Sequence, residues 1–393
     1  MATVSFKING SVIVKVFLVV CTDACELSSG PRAPPRSSWR KLFLENTLPE
    51  VVERGYNELR WNPLLGCWVI VSSLRSARPW RRVERCPFCP GSEETGFGWD
   101  VLVLDNKYPA LRPDAVTSRA GSGLYRVERA YGYAKVVVET PSHEGDLDTI
   151  PRENLMKYLR VLAELTERYC GDPGVAYVFP FRNKGEVIGV SLTHPHSQVY
   201  VLPFVPPRVE REYRMMVEHR ESTGACLLCS ILEQEEREAE RLLYSNRYFS
   251  AFLPFFAMWP YEVHVYPRSH VESLTELGEE EVEHLADALR VVVAAYNQLF
   301  GFSLPYMMVV HQKPCRGYEG FHLHVEFYPV HRAPDKLKYP AGIEWGAWVF
   351  TYDGLPEERA AELRSAVQRA VSTLESRGER VLGAAGGACS NTC

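Results

Sequence analysis

The chain has 393 residues, of which 46% are hydrophobic and 24% charged, with 27 glycines and 27 prolines. That composition excludes collagenous, low-complexity and wholly disordered classes, and the length suits two or three domains or one long two-lobed unit. A formal charge of −5, without a dense Lys/Arg run, argues against capture of nucleic acid and leaves a small or phosphorylated partner open.

Residues 1–55 mix Pro, Ser and Arg without sustained periodicity and read as an N-terminal extension. Their longest apolar run, Val12 to Val20, is nine residues long and contains Lys15. It falls short of the roughly 20 residues that span a bilayer. Lys15, and Cys-Thr-Asp-Ala-Cys in place of a small-residue cleavage site, also argue against a signal peptide, so a cytoplasmic protein without a membrane partner is expected. Eleven cysteines without an export signal do not suggest a complete disulfide framework.

Strand-like runs follow at Trp68 to Val71, Val101 to Leu104 and Lys135 to Glu139, then Leu155, Leu159, Leu162 and Tyr169 recur at helical spacing. Ala176 to Phe179 and His196 to Leu202 supply another strand pair. Val209 to Arg220 and Ser230 to Leu243 read as a polar helical connector. The order then repeats. Leu-Asp-Asn-Lys-Tyr at 104–108 is echoed by Tyr-Ser-Asn-Arg-Tyr at 244–248, and the strand before His143 by Val263 to Tyr266 before His270. A second helix carries Val282, Leu285, Leu289, Val292 and Tyr296 on one face. Leu363, Val367, Ala370 and Leu374 mark a C-terminal helix with Pro356 in its first turn. The offsets agree: 140 residues separate Cys86 from Cys226, 127 His143 from His270, and 128 His194 from His322. The expected fold is therefore α+β, a duplicated half-barrel of antiparallel sheet with packed helices in two pseudo-symmetric lobes, 56–208 and 209–352, followed by a C-terminal helix and tail at 353–393.

Zinc takes thiolate and imidazole in tetrahedral sets, and a CxxC turn brings two thiolates to one ion. Cys86 and Cys89 with His143 and His194 make one such set, and Cys226 and Cys229 with His270 and His322 a second at equivalent places. A redox motif would need a thioredoxin-like βαβ context, which the CPFCPG turn lacks. Closed sets of four ligands make both ions structural. Cys21, Cys25, Cys389 and Cys393 stand apart in terminal stretches.

Along a strand alternate residues share a face, so His194, His196 and Gln198 point the same way. A lone histidine is more often structural than reactive, but here an Asn183-Lys184-Gly185 turn, Ser191 and the Gln198 carboxamide gather donors suited to phosphate oxygens. An imidazole that is largely unprotonated at neutral pH can attack phosphorus, which makes His196 the candidate nucleophile and Gln198 its partner. The alternative from the residues alone is a non-catalytic, zinc-stapled module that binds nucleotides.

His194-Pro-His196-Ser-Gln198, with CPFC upstream, Asn-Lys-Gly before it, Leu59-Arg-Trp-Asn-Pro-Leu, Arg75-Ser-Ala-Arg78 and Phe255 to Glu262, resembles the galactose-1-phosphate uridylyltransferases, the nucleotidyltransferase branch of the histidine-triad superfamily. The resemblance spans about Leu59 to Arg364. It implies histidine-triad-like lobes and a ping-pong reaction in which His196 takes UMP from UDP-glucose and passes it to a hexose 1-phosphate. It also implies phosphate contacts from Arg75 and Arg78 in a neighbouring subunit's site, nucleotide and phosphate contacts from Asn106, Asn183, Ser191 and Gln198, and sugar-side positions at Lys338, Tyr339 and Glu344. A homodimer with shared sites is the implied assembly. Three departures stand out. Ser197 replaces the glycine of many members, and Phe350 stands where a glutamine is expected six residues after Glu344. Some members hold iron at positions matching Glu212, His311, His324 and Glu326, whereas here CLLC and His322 supply a second zinc set instead. Two zinc lobes with HPHSQ also resemble the ADP-glucose phosphorylases, adenylyltransferases that form the alternative.

Overall fold

Valine-rich and aromatic runs build most strands, because branched and flat side chains pack well on a pleated surface. The computed structural model describes residues 55–77, 85–92 and 94–386, with the backbone of 3–7 and 13–17. Residues 1–52 form one unit, in which β1 (Thr3–Lys7) pairs antiparallel with β2 (Ile13–Phe17). The unit from Glu53 onward begins with β3 (Asn57–Asn62), β4 (Cys67–Ser72), β5 (Leu102–Asp105), β6 (Val127–Arg129) and β7 (Tyr133–Val138). Helix α1 (Arg152–Cys170), β8 (Tyr177–Lys184) and β9 (His196–Leu202) complete the first half. Two helices, α2 (Pro207–Thr223) and α3 (Leu227–Glu238), lead to β10 (Leu242–Ser245), β11 (Phe249–Phe252), β12 (Val263–Pro267), α4 (Glu279–Leu299), β13 (Tyr306–His311) and β14 (His324–Pro329). A short hairpin of β15 (His331–Ala333) and β16 (Lys336–Leu337), then α5 (Gly342–Ala347), α6 (Pro356–Ser376) and β17 (Ala384–Ala385), close the described chain.

Ten strands form one open antiparallel sheet in the order β17-β10-β11-β12-β14-β13-β8-β9-β7-β5. The duplication is visible in it: β7, β9 and β8 of the first half are matched by β12, β14 and β13 of the second. The halves join where β8 pairs with β13, Lys184 opposite Tyr306 and Phe181 opposite Val309. The sheet is not closed into a barrel. The apolar stripe of α1, including Leu155, Leu159 and Leu162, and almost every residue of α4 from Val282 to Tyr296 share one core with Val137, Val199, Val263 and Val325 of the strands. Helix α4 is buried all round because α6 covers it with Ala360, Leu363, Val367, Ala370 and Leu374, and Pro356 occupies the first turn of α6 as expected. Each such leucine contributes about 1.5–3 kcal/mol of burial, so this core is the main anchor of the sheet.

The connector departs from the expected helix over Ser230 to Leu243. Helix α3 stops at Glu238, and Ala239 takes φ 56°, a left-handed cap. Arg241 folds back onto Glu235 and Glu238, and Leu242 to Ser245 enter the sheet beside β11. The charged run continues the helical pattern in sequence, but the buried Leu242-Leu-Tyr stretch is drawn into the strand. A disulfide joins Cys170, the last residue of α1, to Cys315 beyond β13, with Cα atoms 4.9 Å apart, and so ties the two halves covalently.

Candidate active site

Strand β9 begins at His196, so the alternation of faces applies to His196, Gln198 and Tyr200, while His194 lies before the strand. Ser197, Val199 and Val201 point into the core, and His196, Gln198 and Tyr200 line a cavity of about 460 Å³ on the other face. Arg75, Asn106, Asn183 and Ser191 line the same cavity, and Arg75 Nη1 donates to Tyr200 Oη at 3.1 Å. Arg78 falls outside the described residues.

His196 Nδ1 lies 2.8 Å from the His194 carbonyl oxygen, which can only accept. That bond places the ring proton on Nδ1 and leaves the Nε2 lone pair for chemistry. Burial holds the imidazole below its ordinary value of 6.5, so Nε2 stays unprotonated at neutral pH. The Phe88 ring, between the two cysteines of CPFC, packs 5.2 Å from the His196 ring and edge-on to His194 at 6.2 Å.

The other predicted positions lie elsewhere. Lys184 does not reach into this cavity: its ammonium is held by Asp146 at 2.8 Å, Ser303 Oγ at 2.6 Å and the Leu304 carbonyl at 2.9 Å. Gly185, at φ 109°, passes so close to Pro305 that a Cβ would stand 2.6 Å from its ring. Glu344 caps α5 by accepting the Ala341 N–H and the Thr351 hydroxyl, and Lys338 donates to the Thr351 carbonyl. Tyr339 is exposed. Glu344 lines a second cavity, of about 700 Å³, in the other half.

Three clusters of metal-ligating side chains are assembled among the described residues, each with its donor atoms within 4.8 Å of one another. In the first, Cys89 Sγ is 3.3 Å from His143 Nδ1, and His194 Nδ1 is 3.6 and 3.7 Å from Cys86 and Cys89 Sγ. A tetrahedron with zinc bond lengths has edges of about 3.5 Å. His194 Nε2 donates to the Thr140 carbonyl at 2.8 Å, the outer contact that orients a ligating imidazole. In the second, of Cys226, Cys229, His270 and His322, the neighbouring Cys229 thiol draws the Cys226 thiol well below its ordinary range. His322 gives Nδ1 to the Leu323 carbonyl, which leaves Nε2 buried without a hydrogen-bond partner, as the nitrogen available to the cluster. Both donor sets fit a zinc ion.

The sequence set CLLC and His322 in place of the acid and histidine set, but the chain builds both. Glu212, His311, His324 and Glu326 converge as the third cluster, with His311 Nδ1 2.8 Å from Glu212 Oε2. Burial opposes ionisation of Glu212, yet the adjacent His311 holds its carboxyl down at about 2. Glu326 also accepts Arg208 Nη2 at 2.6 Å.

Sequence reasoning did not single out Tyr200, Phe88 or the ion pair of Glu139 with Arg182 beneath β9. Tyr200 carried a signal, two residues beyond Gln198 on the same face.

A sheet built from two matching halves, with an imidazole facing a polar cavity and its Nε2 free, is an arrangement suited to group transfer at phosphorus. A solved structure titled as that of a uridylyltransferase is similar over 80% of this chain and 99% of its own, at 45% identity and a TM-score of 0.74. The chain belongs to the galactose-1-phosphate uridylyltransferase family: the family's N-terminal domain matches residues 48–206 and its C-terminal domain residues 210–341. A galactose-1-phosphate uridylyltransferase of Thermotoga maritima is 39% identical over 78% of this chain and 98% of its own length. An ADP-glucose phosphorylase from Arabidopsis thaliana, solved with bound ADP-glucose, is similar at 25% identity and a TM-score of 0.62 over 78% of this chain and 98% of its own.

Proposed function

We propose that the protein moves UMP from UDP-glucose to galactose 1-phosphate through a covalent uridylyl group on His196. The observation that carries this reading is the fixed tautomer: Nδ1–H is committed to the His194 carbonyl, and the lone pair lies on Nε2 at the cavity wall. In the first half-reaction Nε2 attacks the α-phosphorus, an N–P bond forms, and the bridging P–O bond breaks with its electron pair leaving on glucose 1-phosphate. In the second, a phosphate oxygen of galactose 1-phosphate attacks the same phosphorus, the N–P bond breaks, and UDP-galactose departs with His196 neutral again.

Gln198 donates its amide N–H to a non-bridging oxygen without bringing negative charge to a diphosphate. Arg75, steered by Tyr200, supplies positive charge, with Arg78 in the same role, while Asn106, Asn183 and Ser191 hold nucleotide and phosphates. Lys184 and Gly185 fix the turn that presents Asn183. Lys338, Tyr339 and Glu344 are the sugar-side groups. None of the three lines the His196 cavity of its own chain; in this reading a second copy supplies them, and Tyr339, Trp345 and Trp348, each more than 60% exposed, offer a surface for a homodimer. The domain division at 55, 208 and 352 and a cytoplasmic setting belong to the same reading; no described helix is long and apolar enough to cross a membrane.

Zinc is the ion assigned to both Cys2His2 sets, two per chain, where it contributes to folding and ties loops to the sheet. Iron is the other ion this reading allows in the second half, at Glu212, His311, His324 and Glu326, a cluster separate from the CLLC set. The likeness to the ADP-glucose phosphorylase favours one second reading, adenylyl transfer by the same histidine. Incubation with labelled UDP-glucose and, separately, ADP-glucose separates them. Acid-labile, base-stable label from UDP-glucose supports the first, label from ADP-glucose alone the second, and label from neither leaves a nucleotide-binding module.

A further inference from the structure

Both chain neighbours of His196 are tied to one residue. The Glu139 N–H donates to the Pro195 carbonyl at 3.1 Å, and the Ser197 hydroxyl donates to Glu139 Oε1 at 2.5 Å. Glu139 is fully buried, follows β7 directly, and receives Arg182 of β8 through Nε at 2.9 and 3.1 Å. Arg182 in turn reaches Tyr306 Oη at 2.7 Å and Asp146 at 3.0 Å, Lys184 closes the chain on Asp146, and Tyr158 Oη lies 2.8 Å from Ser197 Oγ.

Two carboxylates and two cations thus lie under the sheet, on the face opposite the cavity, with their charges balanced. A buried ion pair is weak evidence for stability, because desolvation offsets most of the attraction, whereas apolar residues would serve a core at least as well. What such a network gives is a single arrangement of its partners. A strand slipped by one residue would turn His196 from the cavity into the core, and an error of 1 Å at a nucleophile can cost about a hundredfold in rate.

We propose that Glu139, Arg182 and Ser197 are positioning residues for the transfer reaction: they clamp β7, β8 and β9 in register and fix the backbone on both sides of His196, so that Nε2 meets phosphorus in line. The proposal rests on His196 being the nucleophile.

The test measures single-turnover formation of the nucleotidyl enzyme from UDP-glucose, KM, zinc content and Tm in zinc-loaded Ser197→Ala, Ser197→Thr, Glu139→Gln and His196→Gly proteins. Positioning predicts that Ser197→Ala and Glu139→Gln lower the single-turnover rate by about 10 to 100-fold with KM within about threefold, and that Ser197→Thr, which keeps the hydroxyl, recovers much of the loss. Wild-type rates for folded Ser197→Ala, with only Tm reduced, would overturn the proposal and assign the network to stability alone. If Glu139→Gln does not fold, Ser197→Ala decides by itself. Label on His196→Gly would instead overturn the nucleophile, so the two failures are told apart.

Discussion

His196 Nδ1 is 2.8 Å from the carbonyl oxygen of His194, a residue only two positions away whose own ring belongs to the first metal cluster. The His196 ring is therefore oriented by the backbone of a residue in a candidate metal cluster. The second half repeats the contact, with His324 Nδ1 2.9 Å from the His322 carbonyl, but there the ring faces Glu212 and Glu326, each 3.8 Å from Nε2. Both imidazoles line cavities, but carboxylates stand beside Nε2 only in the second half, so the two matching histidines face different chemistry.

Gln198→Ala is expected to keep fold and zinc content while lowering kcat by roughly 10 to 1,000-fold, the scale for one lost donor to a phosphoryl oxygen that gains charge in the transition state. Steady-state kinetics checks this. An unchanged kcat would remove Gln198 from the site.

The two Cys2His2 sets should respond differently to loss of a thiolate. Cys226→Ser is expected to release about one zinc and lower Tm with little change in the rate of the folded protein at moderate temperature. In Cys86→Ser, activity and stability should fall together, because Phe88 of the same turn packs on the His196 ring. Elemental analysis beside Tm and kcat reads both, and a wild-type content near one zinc per chain would contradict the assignment of two.

The Cys170–Cys315 bond closes a long loop across both halves, with 145 residues of sequence separation. Cys170→Ser is expected to cost about 2–5 kcal/mol of stability, seen as a lower Tm or denaturant midpoint than the oxidised protein, with kcat at 25 °C retained. Identical midpoints for the two would show that the bond does not constrain the unfolded chain.

Burial holds the His196 imidazole below 6.5, so the unprotonated form persists at pH values where a free histidine is already charged. As pH falls, kcat/KM should decline only below pH 6.5, since that profile reports the free enzyme's essential base. An acid limb centred above 6.5 would mean that the imidazole is not desolvated as the cavity implies.

The repeat was legible because three offsets of nearly equal length link like residues, and the cavity-facing side of β9 was legible from His196 onward because the strand alternates strictly to Tyr200, whereas His194 precedes the strand. Other features depend on contacts that spacing does not encode. Glu139 ends a run of valines and looks like the strand's exposed end, yet Arg182, 43 positions on, buries its charge. The end of α3 is set at Ala239 by the pull of β10 into the sheet, against a polar pattern that continues the helix. Glu212 meets His311 across 99 residues, so spacing alone does not join them; the resemblance named the four positions, and the structure shows that they converge beside the CLLC set rather than being replaced by it.

The decisive measurement is covalent capture: zinc-loaded wild-type and His196→Gly proteins are incubated with UDP-glucose labelled in the α-phosphate, quenched in base, and the label is mapped by peptide mass spectrometry. Wild-type protein should carry one acid-labile uridylyl group per chain on the peptide containing His196, and His196→Gly none, with added imidazole restoring partial turnover to the variant. Label on another residue, or undiminished exchange between UDP-glucose and glucose 1-phosphate in the zinc-loaded His196→Gly protein, would contradict nucleophilic catalysis by His196.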